Sequence, residues 1–206
     1  MKVILLDIDG VLNTNTDFVE ARVYGHPVNN LQEGKVIQRG KLAILEVLVK
    51  HTDARIVLSS TWRLKYNLDQ IHEMFVERGW TLDRDILIDQ TPNHSRGLSD
   101  NSYRHRGNEI KEWLDNQSDV ESFVILDDKS EYILPAGFVE IEYTGDLGFY
   151  DDPVYVDKNW SGDLVTTNEN TGLTPTQGLQ ASFVLGRTES VHEATRERDR
   201  ALALFI

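Results

Sequence analysis

The sequence predicts an α/β protein, a Rossmann-like three-layer sandwich around a mainly parallel sheet. Short apolar runs alternate along the chain with segments of helical periodicity, which is typical of successive βαβ units. The apolar runs are continuous, as in strands that helices cover on both faces. A chain of 206 residues, 40% of them hydrophobic, is long enough for one sizeable core.

Each element follows from its local pattern. Apolar runs predict the strands, in chain order residues 3–6, 55–58, 86–88, 123–126, 138–143 and, as a candidate edge strand, 163–167. Apolar residues at helical spacing predict the helices, at about 40–51, from 68 to near 79, after 107, and at 175–185. Gly79 suits the position just past the second helix, and Thr174 suits the N-cap of the last.

Two long polar segments interrupt this alternation, at residues 14–39 after the first strand and at 90–106 ahead of the third helix. Loops of this length in compact domains are usually functional or mobile. The sequence therefore predicts one domain over residues 1–185, with 14–39 as a flap-like insertion. Residues 186–206 are charged and then apolar, and they are interpreted as a C-terminal tail or helix.

Composition and charge limit the classes of function. The net charge of −13 disfavours a long polynucleotide groove, because affinity for a phosphate backbone comes mainly from Lys and Arg, but it allows a local basic pocket. The absence of cysteine excludes disulfides and thiolate sites and suits a cytoplasmic protein. No apolar run approaches the ~18 residues of a membrane-spanning helix, and the N-terminus does not match a signal peptide, so no membrane association is expected.

Acidic residues follow two of the predicted strands. Asp7 and Asp9 come after the first strand, and the alternation of an extended chain places them on the same side. A hard divalent cation such as Mg²⁺ would relieve their repulsion. Asp127 and Asp128 directly follow the strand at 123–126. Because α/β sheets place ligands at the carboxyl ends of their strands, both pairs are candidates for chemistry.

Hydroxyl and cationic side chains occupy comparable places. Residues 59–61, Ser-Ser-Thr, directly follow the second strand, where a hydroxyl can donate to a phosphate oxygen. Residues 104–106, Arg-His-Arg, come just before a helix, and Lys111 lies about one turn into it. A guanidinium matches a phosphate through its planar fork of donors.

Each of these motifs alone has a simpler interpretation. Acidic residues after strands often cap helices or solvate loops, and a hydroxyl cluster is more often an N-cap than a phosphate cradle. A basic loop is usually only solvated. The joint order is what favours chemistry, since three strands end in carboxylates, hydroxyls and carboxylates, with a cation ahead of the third.

Four motifs in chain order resemble those of the haloacid dehalogenase (HAD) superfamily of phosphohydrolases: DIDGV, VLSST, an Arg ahead of a helix, and LDD. The resemblance spans residues 1–128. More narrowly, the chain is similar to a subgroup of small phosphatase domains from phages and bacteria, some of them attached to RNA-repair proteins. The segments that carry this narrower resemblance are LDIDGVLN, VLSSTWR, RGNEIKEWL, VILDD and the later TGLT at 171–174.

The resemblance implies a role for each matching residue. Asp7 would attack phosphorus to form an aspartyl-phosphate, and Asp9 would protonate the leaving oxygen and then activate water. Ser59 would hydrogen-bond the phosphoryl group. The residues that would hold Mg²⁺ are Asp7, Asp9 through its main-chain carbonyl, Asp127 and, by orienting it or ligating through water, Asp128.

Two positions depart from the superfamily pattern. The superfamily usually offsets charge on the intermediate with a Lys, whereas here Arg106 is the first choice and Lys111 the alternative. Val11 stands where many phosphatases of the family carry Thr. It lies beside the catalytic backbone and need not change the chemistry.

Superfamily members often carry a cap domain, but here both intervals that could hold one are too short for it. The chain is therefore expected to be capless or minimally capped, with an open site that admits bulky phosphomonoesters. Trp62 or Tyr103 is expected to stack on a base, unless Trp62 packs in the core instead. Candidate substrate contacts are Asn13, Ser60, Arg63, Lys65, Arg96, Arg104, His105 and Lys111.

Three functions stay open at this point. The first is a Mg²⁺-dependent phosphomonoesterase acting on a nucleotide-type phosphate, similar to a 5′-nucleotidase. The second is a polynucleotide 3′-phosphatase that repairs nucleic-acid ends. The third is a non-catalytic module that binds metal or phosphate, although the complete set of acidic residues argues against a dead site. The apolar end at 201–206 leaves a partner or dimer interface open, so the protein is expected to be a monomer or a homodimer.

Overall fold

A computed structural model gives the fold, and it describes residues 1–17, 19, 36–94, 106–138, 140 and 164–186. The described strands are β1 (Lys2–Leu6), β2 (Arg55–Leu58), β3 (Leu87–Gln90), β4 (Ser122–Asp127) and β5 (Leu164–Thr166). They form one sheet in the order β3-β2-β1-β4-β5, and every pairing is parallel. The predicted α/β class with a parallel sheet is therefore confirmed, and the first strand lies at the centre.

The register of the central strands determines where the site forms. Leu6 at the end of β1 is level with Leu58 of β2 on one side and with Leu126 of β4 on the other. The residues that follow these three leucines therefore emerge next to one another at the carboxyl edge of the sheet. They are Asp7, Ser59 and Asp127.

Helices connect the strands and complete the layers. The described α-helices are α1 (Arg39–Thr52), α2 (Leu68–Glu77), α3 (Arg106–Asp115), α4 (Ser130–Ile133) and α5 (Pro175–Leu185). Short 3₁₀ helices lie at Thr61–Leu64, Arg84–Ile86 and Leu134–Ala136. Among the described helices, none combines the length and the apolar character that crossing a bilayer demands.

The hydrophobic core lies on both faces of the sheet. Side chains alternate along a strand, so Ile4 and Leu6 of β1 face one layer and Val3 and Leu5 face the other. Helices α1, α2 and α5 pack on the first face, and α3 and α4 pack on the second. Because both faces of the sheet are covered, the sequences of its strands are continuous apolar runs.

Most predicted element positions are confirmed, with two shifts. The third strand begins at Leu87 instead of residue 86, because Ile86 closes the 3₁₀ helix Arg84–Ile86. The third helix begins at Arg106 and not after Gly107, which lies inside its first turn. A Cβ at Gly107 would lie 2.8 Å from the Cβ of Ala136, so a glycine lets the helix approach the segment after α4.

The predicted edge strand at 163–167 is confirmed as β5, and Thr174 caps α5 through a reciprocal pair of hydrogen bonds with Gln177. The strand predicted at 138–143 lies largely outside the described residues, although Glu140 forms an isolated parallel bridge with Leu164. Most of the flap-like insertion, the loop at 95–105 and the tail from 187 onward also lie outside them.

Candidate active site

The carboxyl edge of the sheet gathers three acidic side chains, Asp7, Asp127 and Asp128, which we call the acidic cluster. Asp7 follows β1, Asp127 ends β4 and Asp128 comes next. The backbone N–H of Asp7 donates to the carbonyl oxygen of Leu126 at 2.9 Å, which joins the two strand ends. One carboxylate oxygen from each of the three residues lies within 4.8 Å of the others. The three carboxylates therefore occupy one small volume.

Arg106, the first residue of α3, lies against the acidic cluster. Its Nη1 donates to Oδ2 of Asp127 at 2.7 Å and also to Oδ2 of Asp7. The Arg106 side chain is only 3% exposed. Lys111, the alternative cation, is exposed on the same helix. Of the two candidates, the structure places Arg106 at the carboxylates.

Burial and neighbouring charges act in opposite directions in this cluster. Burial raises the pKa of Asp127 to about 7, although the guanidinium of Arg106 works against it. Burial also raises the pKa of Asp128. For Arg106, burial would lower the pKa, but the carboxylates of Asp7 and Asp127 outweigh it and raise the pKa. Nζ of Lys129 also lies 3.1 Å from Oδ2 of Asp128. Within the described residues three carboxylates thus contact two cationic side chains, and a further cation would favour the ionised forms of the carboxyl groups.

The acidic cluster has the chemistry of a site for a hard divalent cation. Mg²⁺ prefers carboxylate oxygens, and it keeps positions for water and phosphate oxygens. The loop after β1 passes so close that a Cβ at Gly10 would lie 2.4 Å from Cγ of Asp128, and the φ of Gly10 is +75°. A glycine at this position therefore lets the loop wrap around the cluster. The residues present fit Mg²⁺, and Asp7, Asp127 and Asp128 would hold it.

The carboxyl group of Asp9 is held by neutral donors instead. Nδ2 of Asn13 donates to Oδ1 of Asp9 at 2.9 Å, and the indole Nε1 of Trp62 donates to Oδ2 at 3.0 Å. Burial raises the pKa of Asp9, and the nearby charge of Asp7 raises it further. Asn13 is fully buried, and its amide oxygen accepts from the backbone N–H of Gly10. Asn13, expected to contact substrate, therefore has its amide engaged with the loop itself.

Ser59 presents a hydroxyl at the same edge of the sheet. Its backbone N–H donates to the carbonyl oxygen of Leu6 at 2.9 Å, which fixes the residue beside the end of β1. Its Oγ is buried and has no hydrogen-bond partner within the described part of the chain. Buried hydroxyls are nearly always satisfied, so an unpartnered one at this edge suits a ligand oxygen. Ser60 instead caps the 3₁₀ helix, since its Oγ accepts from the backbone N–H of Trp62 at 3.4 Å.

Arg63 was expected to contact substrate, but its donors are directed at protein acceptors. Nη1 donates to the carbonyl oxygens of Ser59 and Ser60 at 2.8 and 2.7 Å, and Nη2 donates to Oε2 of Glu109 at 2.6 Å. Nε and Nη2 also reach the carbonyl oxygens of Thr91 and Pro92, respectively. Arg63 therefore ties the loop after β2 to the segment after β3 and to α3.

The other predicted contacts are only partly placed. Lys65 is exposed at the end of the 3₁₀ helix Thr61–Leu64. The remaining predicted contacts lie outside the described residues, namely Arg96, Tyr103, Arg104 and His105. Trp62 is 5% exposed and belongs to the hydrophobic core, which agrees with the expectation that it packs in the core and does not stack on a base.

Two features of the site had no predicted role, although both lie in segments that carry the family resemblance. Glu109 lies within RGNEIKEWL, and a single Glu on a helix is usually a solvated residue. The structure also shows the physical basis of the segment TGLT. The N–H of Leu173 donates to the carbonyl oxygen of Val11, and a Cβ at Gly172 would lie 2.8 Å from that same oxygen. Thr167 Oγ1 also donates to the carbonyl oxygen of Gly10 at 2.7 Å, so the turn at 167–173 holds the loop after β1.

A parallel α/β sheet with an aspartate directly after its central strand, beside the acidic end of β4, is consistent with a HAD-type phosphohydrolase fold. A family model described as the HAD domain in Swiss Army Knife RNA repair proteins matches residues 3–177. The chain therefore belongs to this family, and the resemblance inferred from the motifs is confirmed. Searches among curated proteins and among solved structures found no match. Family membership supports a phosphatase-type hydrolase in general.

Proposed function

We propose that the protein is a Mg²⁺-dependent phosphomonoesterase that acts through an aspartyl-phosphate on Asp7. The observation that carries this proposal is the convergence of three carboxylates and one buried guanidinium at the end of the central strand. The unpartnered hydroxyl of Ser59 at the same edge supports it, because a phosphoryl oxygen would satisfy that hydroxyl.

The chemistry divides into two displacements at phosphorus. In the first, a carboxylate oxygen of Asp7 bonds to phosphorus while the bond to the ester oxygen breaks, and Asp9 gives its proton to the departing oxygen. In the second, water attacks phosphorus and gives a proton to Asp9. The bond between phosphorus and Asp7 then breaks, which releases inorganic phosphate and restores both carboxyl groups.

The surrounding residues stabilise the charge that these steps develop. The guanidinium of Arg106 lies at Asp7, where it would face the phosphoryl oxygens, and Ser59 Oγ would donate to one of them. Mg²⁺ held by Asp7, Asp127 and Asp128 would supply positive charge to the phosphoryl group, and the Asp9 carbonyl is the further ligand implied by the family.

We propose a nucleotide-type phosphate as substrate. The net charge of −13 supports a mononucleotide or a short end over a long polynucleotide. The description of the family as a domain of RNA repair proteins favours a second candidate, a 3′-phosphatase acting on nucleic-acid ends. We further propose that residues 1–185 form one phosphatase domain. We also propose that the protein works in the cytoplasm, because a chain without cysteine suits a reducing compartment.

The test is hydrolysis of p-nitrophenyl phosphate, with and without Mg²⁺, by the wild type and by Asp7→Asn. Loss of the nucleophile is expected to lower kcat by at least about 10³-fold, since the residual rate comes from binding and charge alone. Asp115→Asn, the same change at the exposed end of α3, is the matched control and should retain full activity. Equal rates in the wild type and Asp7→Asn would exclude the proposal.

The substrate candidates are separated by a direct competition. Nucleoside 5′-monophosphates and a short 3′-phosphorylated RNA are compared by kcat/KM at two salt concentrations. A mononucleotidase prefers the former with little dependence on salt, whereas an end-repair enzyme prefers the RNA and loses efficiency as salt rises.

A further inference from the structure

One of the two side chains that donate to the carboxyl group of Asp9 comes from outside the loop after β1. Trp62 lies in the 3₁₀ helix after β2, yet its indole N–H reaches Oδ2 of Asp9 at 3.0 Å. We propose that Trp62 is a positioning residue for Asp9, which fixes the carboxyl group so that it delivers its proton to the leaving oxygen. This inference rests on the proposed function, because it concerns the acid of that reaction.

Trp62 is itself rigidly held. It is 5% exposed within the hydrophobic core, and its ring lies 6.0 Å from that of Tyr66. Its backbone N–H donates to the Ser60 hydroxyl, so the same short helix that follows the hydroxyl motif also sets the place of the indole. A buried aromatic ring in a packed core has few rotamers, and its N–H therefore points at one fixed position.

The second oxygen of Asp9 is fixed from the opposite side. Asn13 donates to Oδ1 at 2.9 Å, and its own amide oxygen accepts from the N–H of Gly10 at 3.1 Å. Because the N–H of Gly10 can only donate, the Asn13 amide is oriented with its NH₂ group toward Asp9. Each oxygen of Asp9 thus accepts one hydrogen bond and retains a second lone pair for the leaving group or for water.

Both donors to Asp9 are neutral groups with a fixed direction. The indole N–H of Trp62 and the amide N–H of Asn13 reach different oxygens, so together they set the plane of the carboxyl group. The guanidinium of Arg106 instead donates to Asp7 and Asp127.

The proposal is tested with three aryl phosphates that share one footprint and differ in the basicity of the leaving oxygen: 4-nitrophenyl, 4-chlorophenyl and phenyl phosphate. The quantity measured is kcat/KM, which reports the step that expels the leaving group. 4-Nitrophenolate departs with little need of a proton, whereas phenolate needs one. General acid catalysis contributes about 10²–10⁴-fold to the rate. A misplaced acid therefore lowers kcat/KM mainly for the substrates with the more basic leaving oxygen.

In Trp62→Phe, which keeps an aromatic ring but removes the N–H, we expect kcat/KM to fall by about tenfold or more for phenyl phosphate and by less than about threefold for 4-nitrophenyl phosphate. Asp9→Asn should show the same trend more strongly. The matched control is Trp80→Phe in the same hydrophobic cluster. Trp80 is 3% exposed and its Nε1 has no hydrogen-bond partner among the described residues, so its loss should leave the ratio of the substrates unchanged.

Should Trp62→Phe fail to fold, 3-benzothienylalanine placed at position 62 by suppression of a stop codon replaces the N–H with sulfur and keeps the shape of the ring. An equal loss on all three substrates in either variant overturns the positioning role and leaves a purely structural one. Activity retained in Asp7→Asn would instead overturn the proposed function, so the two failures are distinguishable.

Discussion

The buried ion pair between Arg63 and Glu109 provides the sharpest test of how the site is supported. Nη2 of Arg63 lies 2.6 Å from Oε2 of Glu109, and the two side chains are only 4% and 1% exposed. Oε1 of Glu109 also accepts from the backbone N–H of His94 at 2.8 Å. The perturbation is Glu109→Gln, which keeps the shape of the side chain and removes its charge.

The expected loss of stability depends on the hydrogen-bond acceptors that Arg63 keeps in the variant. Breaking a buried ion pair by removing one partner costs about 3–5 kcal/mol, because the other charge stays buried without compensation. Arg63 keeps four carbonyl acceptors, those of Ser59, Ser60, Thr91 and Pro92, so we expect the lower end, about 3 kcal/mol. Since 1 kcal/mol moves the Tm of a domain of this size by about 2–4 °C, the Tm should fall by roughly 6–12 °C.

The assay is urea unfolding followed by tryptophan fluorescence, with calorimetry for the Tm. Glu112→Gln is the matched control, because Glu112 lies on the same helix and pairs with His94 Nε2 at 2.6 Å but is 50% exposed. Its loss should cost no more than about 1 kcal/mol. A Glu109→Gln protein as stable as the Glu112→Gln protein would refute the reasoning that this pair holds α3 to the sheet edge.

Two further predictions concern the cation and a surface network. Arg106→Ala is expected to lower kcat on p-nitrophenyl phosphate by about 10²–10³-fold and Lys111→Ala by less than about twofold, and similar losses in both would contradict the assignment of the cation. Glu46 accepts from the backbone N–H and hydroxyl of Thr81 at 2.9 and 2.6 Å and from Lys50, so Glu46→Gln should lower the free energy of unfolding by about 1 kcal/mol at neutral pH. Burial acts to raise the pKa of Glu46, but these donors outweigh it and hold the pKa below its ordinary value of 4.5. The difference between the two proteins should therefore be complete above that value and shrink as the pH falls below it, and urea titrations giving the same difference at about pH 3 and pH 7 would contradict this account.

The central sheet and the acidic cluster could be predicted because both depend on short-range signals. A continuous apolar run followed at once by a charged residue marks where a buried strand leaves the core. The parallel register then makes adjacency automatic, since Leu6, Leu58 and Leu126 are level across three strands. The order of the strand-end residues thus favoured one site at the edge of the sheet, and the family resemblance carried the prediction that Asp7 and Asp127 share a metal ion there.

The supporting contacts could not be predicted in the same way. Arg63 and Glu109 are 46 positions apart, and each looks like an ordinary solvated residue when taken alone. The indole N–H of Trp62 donates to Asp9, which lies 53 positions earlier in the sequence. The sequence left Trp62 either as a core residue or as a residue that stacks on a base, and only the fold creates its contact with Asp9. Such pairings depend on the angle at which a short helix leaves its strand, and no local pattern encodes it.

The hydrogen-bond partners of the carboxyl groups differ in a way that matches their proposed roles. In the proposed reaction the nucleophile Asp7 and the metal ligand Asp127 act as carboxylates, and Arg106 donates to both of them. The acid must carry a proton in the first step and none in the second, and Asp9 has only the neutral donors of Trp62 and Asn13 at hydrogen-bond distance among the described residues. One site can give similar carboxyl groups different roles by surrounding each of them with different partners. Exchanging the two kinds of partner would place a cation at the proposed acid and neutral donors at the proposed nucleophile, which is the reverse of what those two roles need.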